Sequence, residues 1–412
     1  MNMKHIFFIF LLFCFPTLAI AQSGLDEQIN AGFESATGWF VRGIFAEIPI
    51  TDEVGVPWVL IVLIVGASFF TIYFRGINLR SFGTAIKIVS GKYDDLEVES
   101  NEVDDNPDTI RIEGHHGEVS HFQALTAALS ATVGLGNIAG VAIALSIGGP
   151  GATFWMILVG FLGMASKFVE CTLGVKYREI DSDGTVYGGP MYYLTKGLKE
   201  RGLKKLGKML AVVFAIMCIG GSFGGGNMFQ VNQAYQLFEY VTGGEESFIY
   251  GKGWIFGLVM AILVGIVIIG GIKKIAKVTD KIVPAMVVLY VLAVITILAL
   301  NYRSVPDAFV SIYEGAFMPE GIVGGFIGVL IQGFRRAAFS NEAGIGSSSI
   351  AHSAVKTKYA ASEGLVALLE PFIDTVVICT MTALVLIVTG QITIGAEISD
   401  AQGVVLTSNA LK

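Results

Sequence analysis

Two short stretches hold the residues of this chain best placed to do chemistry. Residues 128–146 read ALSATVGLGNIAGVAIALS, and residues 338–351 read AFSNEAGIGSSSIA. In the first, Gly134, Gly136 and Gly140 interrupt an apolar helix, and Thr132 and Asn137 bring polar groups to the interruption. In the second, Gly344 and Gly346 stand beside Ser340, Asn341 and Ser347. Opening a helix frees N–H groups at the start of one half and carbonyls at the end of the other. The first suit a carboxylate and the second a small cation. Glycines can also do no more than let helices pack closely. Two breaks of matching pattern, Gly134-Leu135-Gly136-Asn137 and Gly344-Ile345-Gly346-Ser347, each flanked by polar residues, point instead to a binding site.

Other reactive side chains give weaker signals. Glu170, Arg335, Arg336 and Glu342 fall within or beside apolar runs, where ionisable groups rarely face lipid and by default suggest function or pairing. We expect Glu170 or Glu342 to pair with an arginine, as a structural or gating ion pair. Cys171, Cys218 and Cys379 lie in apolar runs without metal-binding spacing and read as inert thiols. His115, His116 and His121 read as a solvated segment at headgroup level. The DDNPD of an acidic loop, residues 94–108, lacks the ordered glycine and terminal glutamate of a calcium loop.

The elements that must position these residues are membrane helices. The 412 residues are 53% hydrophobic and 15% charged, against about 25% charged for a soluble domain. Apolar residues come in runs of about twenty, the length of a membrane span. Residues 1–21 read as a cleavable secretory signal, with Lys4, an apolar core and an A-x-A end, and 22–56 as an extracytoplasmic segment of amphipathic character. Spans then fall near 58–74, 120–147 (interrupted, outward), 153–171, 209–235, 254–271, 283–300, 321–350 (interrupted, inward) and 364–388. Under simple alternation the basic clusters share one side: Arg75 to Lys92, Lys176 and Arg178, Lys196 to Lys208, Lys273 to Lys277, and Lys356 and Lys358. The two interrupted spans then run in opposite directions, as an inverted repeat requires.

FQALTAALSATVGLGNIAGVAIAL, GGPGATFWM, YGGPMYYL, GFRRAAFSNEAGIGSSSIAHSA and FIDTVVICTMTAL, in that order, closely resemble the alanine or glycine:cation symporter family, from residue 58 to the end of the chain. The resemblance implies an all-α polytopic membrane protein. Its fold would be the leucine-transporter-like inverted repeat with two broken helices. Residues 57–118 would hold an extra N-terminal helix and the cytoplasmic acidic loop, 119–300 the first five-helix repeat, and 301–412 the first part of a second, incomplete repeat. It implies sodium-coupled uptake of alanine or glycine across the bacterial cytoplasmic membrane, with sodium as coupling ion and no other cofactor. The alternatives are a proton-coupled carrier, with Glu342 or Glu370 taking the proton, or a truncated fragment that cannot transport. Glu370-Pro371 departs from the family pattern ahead of the FIDT motif.

For a zwitterionic amino acid we assign the carboxylate to the backbone N–H groups around Gly134, Gly136 and Asn137, with Thr132 and Asn137 adding side-chain polarity. These two side chains could equally do no more than satisfy the broken backbone. Phe229 would cap the substrate side chain and Gln230 reach its ammonium, with core packing as the alternative. Gly344 and Gly346 expose carbonyls. Asn137, Ser340, Asn341, Ser347 and Thr375 offer oxygens to sodium, a hard cation. For Thr375 a bond within its own helix is the competing reading.

Other function classes find little support. No basic patch is interleaved with aromatics for nucleic acid. No H-E-x-x-H and no histidine well inside a span provides for an intramembrane enzyme. No selectivity-filter loop suggests a channel.

Overall fold

The computed structural model describes residues 25–50, 55–93, 117–318, 325–392, 394 and 400–411. The expected signal segment, the whole acidic loop at 94–108, and His115 and His116 lie outside these residues. The chain divides into two compact units, 1–46 and 47–412. In the first, α1 (Leu25–Ile44) is a helix where the sequence suggests an amphipathic segment.

The second unit opens with a short hairpin, β1 (Glu47–Pro49) against β2 (Gly55–Pro57), and then α2 (Trp58–Tyr73), the expected first span. The first interrupted span is two helices, α3 (His121–Thr132) and α4 (Leu135–Gly148), bent by 40°. Ser120 starts α3 with a reciprocal cap: its Oγ accepts from the Gln123 N–H while Gln123 Oε1 accepts from the Ser120 N–H. α5 (Ala152–Lys176) follows, then the hairpin β3 (Glu179–Ile180) and β4 (Val186–Tyr187), then α6 (Pro190–Glu200), begun by a proline at its first turn.

A long helix, α7 (Lys204–Val241), carries a π-helical stretch at Ser222–Met228, and α8 (Gly253–Ile268) and α9 (Gly271–Leu300) follow. α10 (Val305–Phe317), which the sequence does not announce, leads to the second interrupted span, α11 (Gly325–Asn341) and α12 (Ser348–His352). α13 (Ala360–Val388) has its own π-helical stretch, Phe372–Cys379, and α14 (Asp400–Ala410) packs on α4. Among the described residues four helices are long and apolar enough to cross a membrane, five with the bent pair. This is a multi-pass, all-helical membrane protein.

The helices fall into an inner and an outer set. In their apolar windows α5 is 61% buried and α13 56%, whereas α7 and α9 are only 11% buried. The outer pair leaves Val212, Ile216, Leu289 and Leu292 exposed. α5 is the hub, touching α2, α11, α12 and α13, and its Met164 and Phe168 pack with Leu125 and Leu129 of α3 and Leu368 of α13. On the far side of the breaks, Val141 and Leu145 of α4 pack with Met156 of α5 and Leu386 of α13.

The start of the first broken span meets the end of the second. The Glu118 and Val119 N–H groups donate to the Ala354 carbonyl, at 2.7 and 3.2 Å, and the Lys356 N–H donates to the Val119 carbonyl at 2.7 Å. The breaks themselves also meet, through Asn137 and Ser340. Segments joined both at opposite chain ends and at their middles must run antiparallel.

Candidate functional site

Each break is built by local chemistry. Asn137, in the first turn of α4, accepts the Gly134 N–H on its Oδ1 at 2.8 Å, closing the exposed helix start on itself. The Leu135 N–H is taken by Gln230 Oε1 from α7 at 3.2 Å. At the second break Glu342, Gly344 and Gly346 have φ of +52°, +87° and +94°. The two glycines adopt this left-handed backbone freely, whereas Glu342 is strained by it. Ser347 donates to the Glu342 carboxylate and so secures the strained turn.

The polar centre lies where α4, α11 and the π-helical stretch of α13 converge. Asn137 Nδ2 lies 3.0 Å from Ser340 Oγ, 2.7 Å from Asp374 Oδ1, 3.0 Å from the Asp374 carbonyl and 3.3 Å from Cys379 Sγ. Ser340 Oγ and Thr375 Oγ1 both donate to Asp374 Oδ2 at 2.7 Å. Asn341 Nδ2 donates to Thr375 Oγ1 at 2.9 Å, and Asn341 Oδ1 accepts the Ala343 N–H at 3.0 Å. Asn137, Asp374 and Thr375 are fully buried, and Ser340 and Asn341 nearly so. Among the described residues no cationic side chain pairs with Asp374. A buried carboxylate so placed is costly until a cation or proton reaches it. A π-helical stretch turns carbonyls and side chains out of the regular ladder, and such stretches gather at functional sites.

Thr132, at the end of α3, is 3% exposed, and its Oγ1 has no hydrogen-bond partner among the described residues. A cavity of about 20 Å³ lies against Asn341, lined by Leu63, Val159, Gly163, Phe334 and Ala338. It has room for a water and not for an amino acid.

The sequence candidates thus fall into groups. Asn137, Ser340, Asn341 and Thr375 converge, and Gln230 joins them through the start of α4. Thr375 bonds across to α11 in addition to its neighbour Asp374. Ser347 stands apart with Glu342, so the second break meets Asn137 through Ser340 and not through Gly344–Ser347. Phe229 sits edge-on to Phe339, with ring centroids 5.5 Å apart. Arg336 lays its guanidinium over the Phe339 ring at 4.9 Å and against the bare face of α4 at Gly136 and Gly140.

The ion pairs differ from expectation. Glu170 lies 3.8 Å from Lys167, not beside an arginine, because both lie one turn apart on α5. Arg335 pairs with Glu47 at 2.9 Å near the β1 hairpin, and Glu342 serves its own turn. His121 is 6% exposed and bonded to Glu363, so it belongs to the interior and not to a solvated segment. Cys379 is a free, buried thiol, as its apolar run suggests, and its Sγ lies 3.3 Å from both Asn137 Nδ2 and Ser340 Oγ at the edge of the polar centre.

Sequence reasoning does not single out Asp374 or Lys167. Asp374 carries a signal as an acid inside an apolar run, in FIDTVVIC. Lys167 carries one in standing three residues before Glu170 in the hub helix. Its Nζ donates to Ser348 Oγ and to Glu370 Oε1, the latter at 3.0 Å, so the unusual Glu370 has a buried partner.

A family model described as the sodium:alanine symporter family matches residues 45–412. The sodium/alanine symporter AgcS of Methanococcus maripaludis is 41% identical over 335 residues, 81% of this chain and 68% of that relative. The putative sodium/proton-dependent alanine carrier protein YrbD of Bacillus subtilis is 37% identical over 66% of this chain and 54% of its own length. The probable sodium/glutamine symporter GlnT of Bacillus subtilis is 38% identical over 65% of this chain and 53% of its own. The chain therefore spans little more than half the length of several relatives it matches.

Proposed function

The chain belongs to the sodium:alanine symporter family, and from that premise we propose that it carries a small neutral amino acid across the cytoplasmic membrane together with sodium. The observation that carries this reading is the buried Asp374 carboxylate, joined to both helix breaks through Asn137 and Ser340 and lacking a cationic partner among the described residues. Sodium bound there would take oxygens from Asp374, Asn137, Ser340 and Thr375, with Asn341 behind Thr375. The cation would supply the charge that the buried carboxylate lacks.

The amino acid would lie on the outer side of the same break. Its carboxylate would meet the N–H groups that open α4 and the Thr132 hydroxyl, displacing Gln230 from Leu135. The neighbouring coupling ion and the half-helix dipole favour that orientation. Phe229 and Phe339 would close over a short side chain. Alanine or glycine fits such a site, and the glutamine named for one relative makes the side-chain wall the part to test. A proton in place of sodium is the rival, since a proton could equally neutralise Asp374.

The deciding experiment is uptake of labelled alanine, glycine and glutamine into proteoliposomes bearing the purified protein. We expect a sodium gradient to drive alanine or glycine. Uptake that follows a pH gradient and ignores sodium would overturn the sodium assignment.

A further inference from the structure

The polar centre leaves unused a second set of buried charges, at the end of the bundle where the first broken span begins and the second ends. Glu363, in the first turn of α13 and fully buried, is held from two sides. His121, which opens α3, meets its Oε2, and His352, which closes α12, meets its Oε1. One carboxylate thus ties together the free ends of both broken spans. The bonds of Glu118 and Val119 to Ala354 lie beside it. On its other edge His352 Nε2 is 3.7 Å from Glu370 Oε2, and Glu370 is paired with Lys167.

The charges do not balance without extra protons. Lys167 answers Glu370, with Glu170 beside it, whereas Glu363 meets only the two imidazoles and pairs with no lysine or arginine among the described residues. Unpaired buried carboxylates are costly, and imidazole is the side chain that takes up a proton near neutral pH. We propose that His121, Glu363 and His352 form a proton-binding site that clasps this end of the transporter shut, so that opening the end releases a proton. The proposal rests on reading α3 and α12 as the half-helices that move during transport.

The sign follows from the geometry. In the closed end both imidazoles face Glu363, and a proton between them stabilises the contact. Once α3 and α12 part, the imidazoles meet water, where they hold a proton only below about pH 6.5. The closed end therefore binds one proton more than the open end. Closure is favoured in acid and is lost as pH rises.

The neighbouring charged and titratable groups include Asp280 of α9, which accepts from Gln123 of α3, Glu118, which pairs with Lys273, and Lys87 on the helix Phe82–Val89 that packs against α13. α5 contributes Lys167, Glu170 and Cys171, and at its end Arg178, which donates to the Ser353 and Thr357 carbonyls. α6 contributes Tyr193, the second break Glu342, and α13 Glu370 and Asp374. None of these is an imidazole.

The test is access to Ala354→Cys, a site buried beneath the clasp, in a chain whose Cys14, Cys171, Cys218 and Cys379 are replaced by alanine. Labelling by a membrane-impermeant maleimide in inside-out vesicles is measured from pH 5.5 to 8.5. Each rate is divided by that of the exposed Lys356→Cys, which removes the pH dependence of the thiol itself. We expect the ratio to rise with pH by up to about tenfold per unit, as release of one proton requires. It should be flat in H121Q/H352Q and in E363Q. A flat ratio with the triad intact overturns the proposal, and so does an unchanged slope in the double variant. If the double variant fails to reach the membrane, H121Q alone must flatten or shift the profile, and an unaltered profile there is equally fatal. Labelling needs no amino acid, so a wrong substrate leaves this result readable, and a failed clasp leaves sodium-driven uptake as a separate finding.

Discussion

Asn137 donates from Nδ2 to Asp374 Oδ1 across 2.7 Å, deep in the protein. The same amide nitrogen lies within 3.0 Å of Ser340 Oγ and of the Asp374 carbonyl, so two N–H bonds face more acceptors than they can serve. A surplus of oxygens around a buried carboxylate is the electrostatic setting in which a small cation is most strongly held.

Asp374→Asn tests that setting. The amide keeps the size and most of the bonds to Asn137, Ser340 and Thr375 while removing the charge. We expect the variant to fold, and sodium to lose its stabilising effect on thermal unfolding. In the parent, sodium at about a hundred times its dissociation constant would add about 2.7 kcal/mol. Equal sodium stabilisation of parent and variant would move the cation elsewhere.

Thr132→Val separates binding from folding at the first break. The hydroxyl is buried without a partner among the described residues, so an isosteric methyl should leave stability unchanged or raise it. If that hydroxyl serves the ligand, amino-acid affinity should fall by about tenfold, the loss of roughly one good hydrogen bond to a charged group. Titration of sodium-dependent alanine binding beside a melting curve checks both halves.

Lys167 and Glu370 are fully buried and 3.0 Å apart, with Ser348 shared between them. Lys167→Met leaves Glu370 without its partner and should destabilise the protein by roughly 3–5 kcal/mol. Adding Glu370→Gln should recover most of that, since neutralising both groups removes the orphaned charge. Recovery of folded yield and of the melting temperature in detergent is the measurement. A double variant as damaged as the single one would mean that Lys167 serves by packing.

How much of this can be read from the residues varies by element. The two breaks are legible because close packing alone does not require polar residues beside a G-x-G inside an apolar run. The opposed directions of the two broken spans follow from the placement of lysine and arginine, and the contact of Val119 with Lys356 agrees with it. Partners are not legible. Lys167, Glu170, Glu363 and Glu370 each interrupt an apolar run, but only the packing of α5 against α12 and α13 decides which acid meets which base. His121 looks solvated because it stands at the very start of its helix, and the sequence does not reveal that Glu363 of α13 comes to meet it. α10 escapes notice because a helix of 13 residues carrying Asp307 and Glu314 has neither the length nor the uniform apolarity of a span. The π-helical stretches carry no local signature that separates them from ordinary helix.

Gly140 and Arg336 offer a test of how the two broken spans recognise each other. A methyl on Gly140 would stand 1.6 Å from Arg336 Nη1, so the guanidinium must leave its seat on α4. The obstructing atoms are the far end of a flexible side chain, so Gly140→Ala should displace Arg336 and not unfold the helix. The stacking on Phe339, worth about 0.5–2 kcal/mol for such a pair, would go with it. We therefore expect Gly140→Ala and Arg336→Ala to impair transport to a similar degree. The double variant should be no worse than either alone, since both remove one contact. Melting temperatures and uptake rates for the four proteins of the cycle decide it. Additive losses would show that Gly140 is needed for something other than the room it leaves for Arg336.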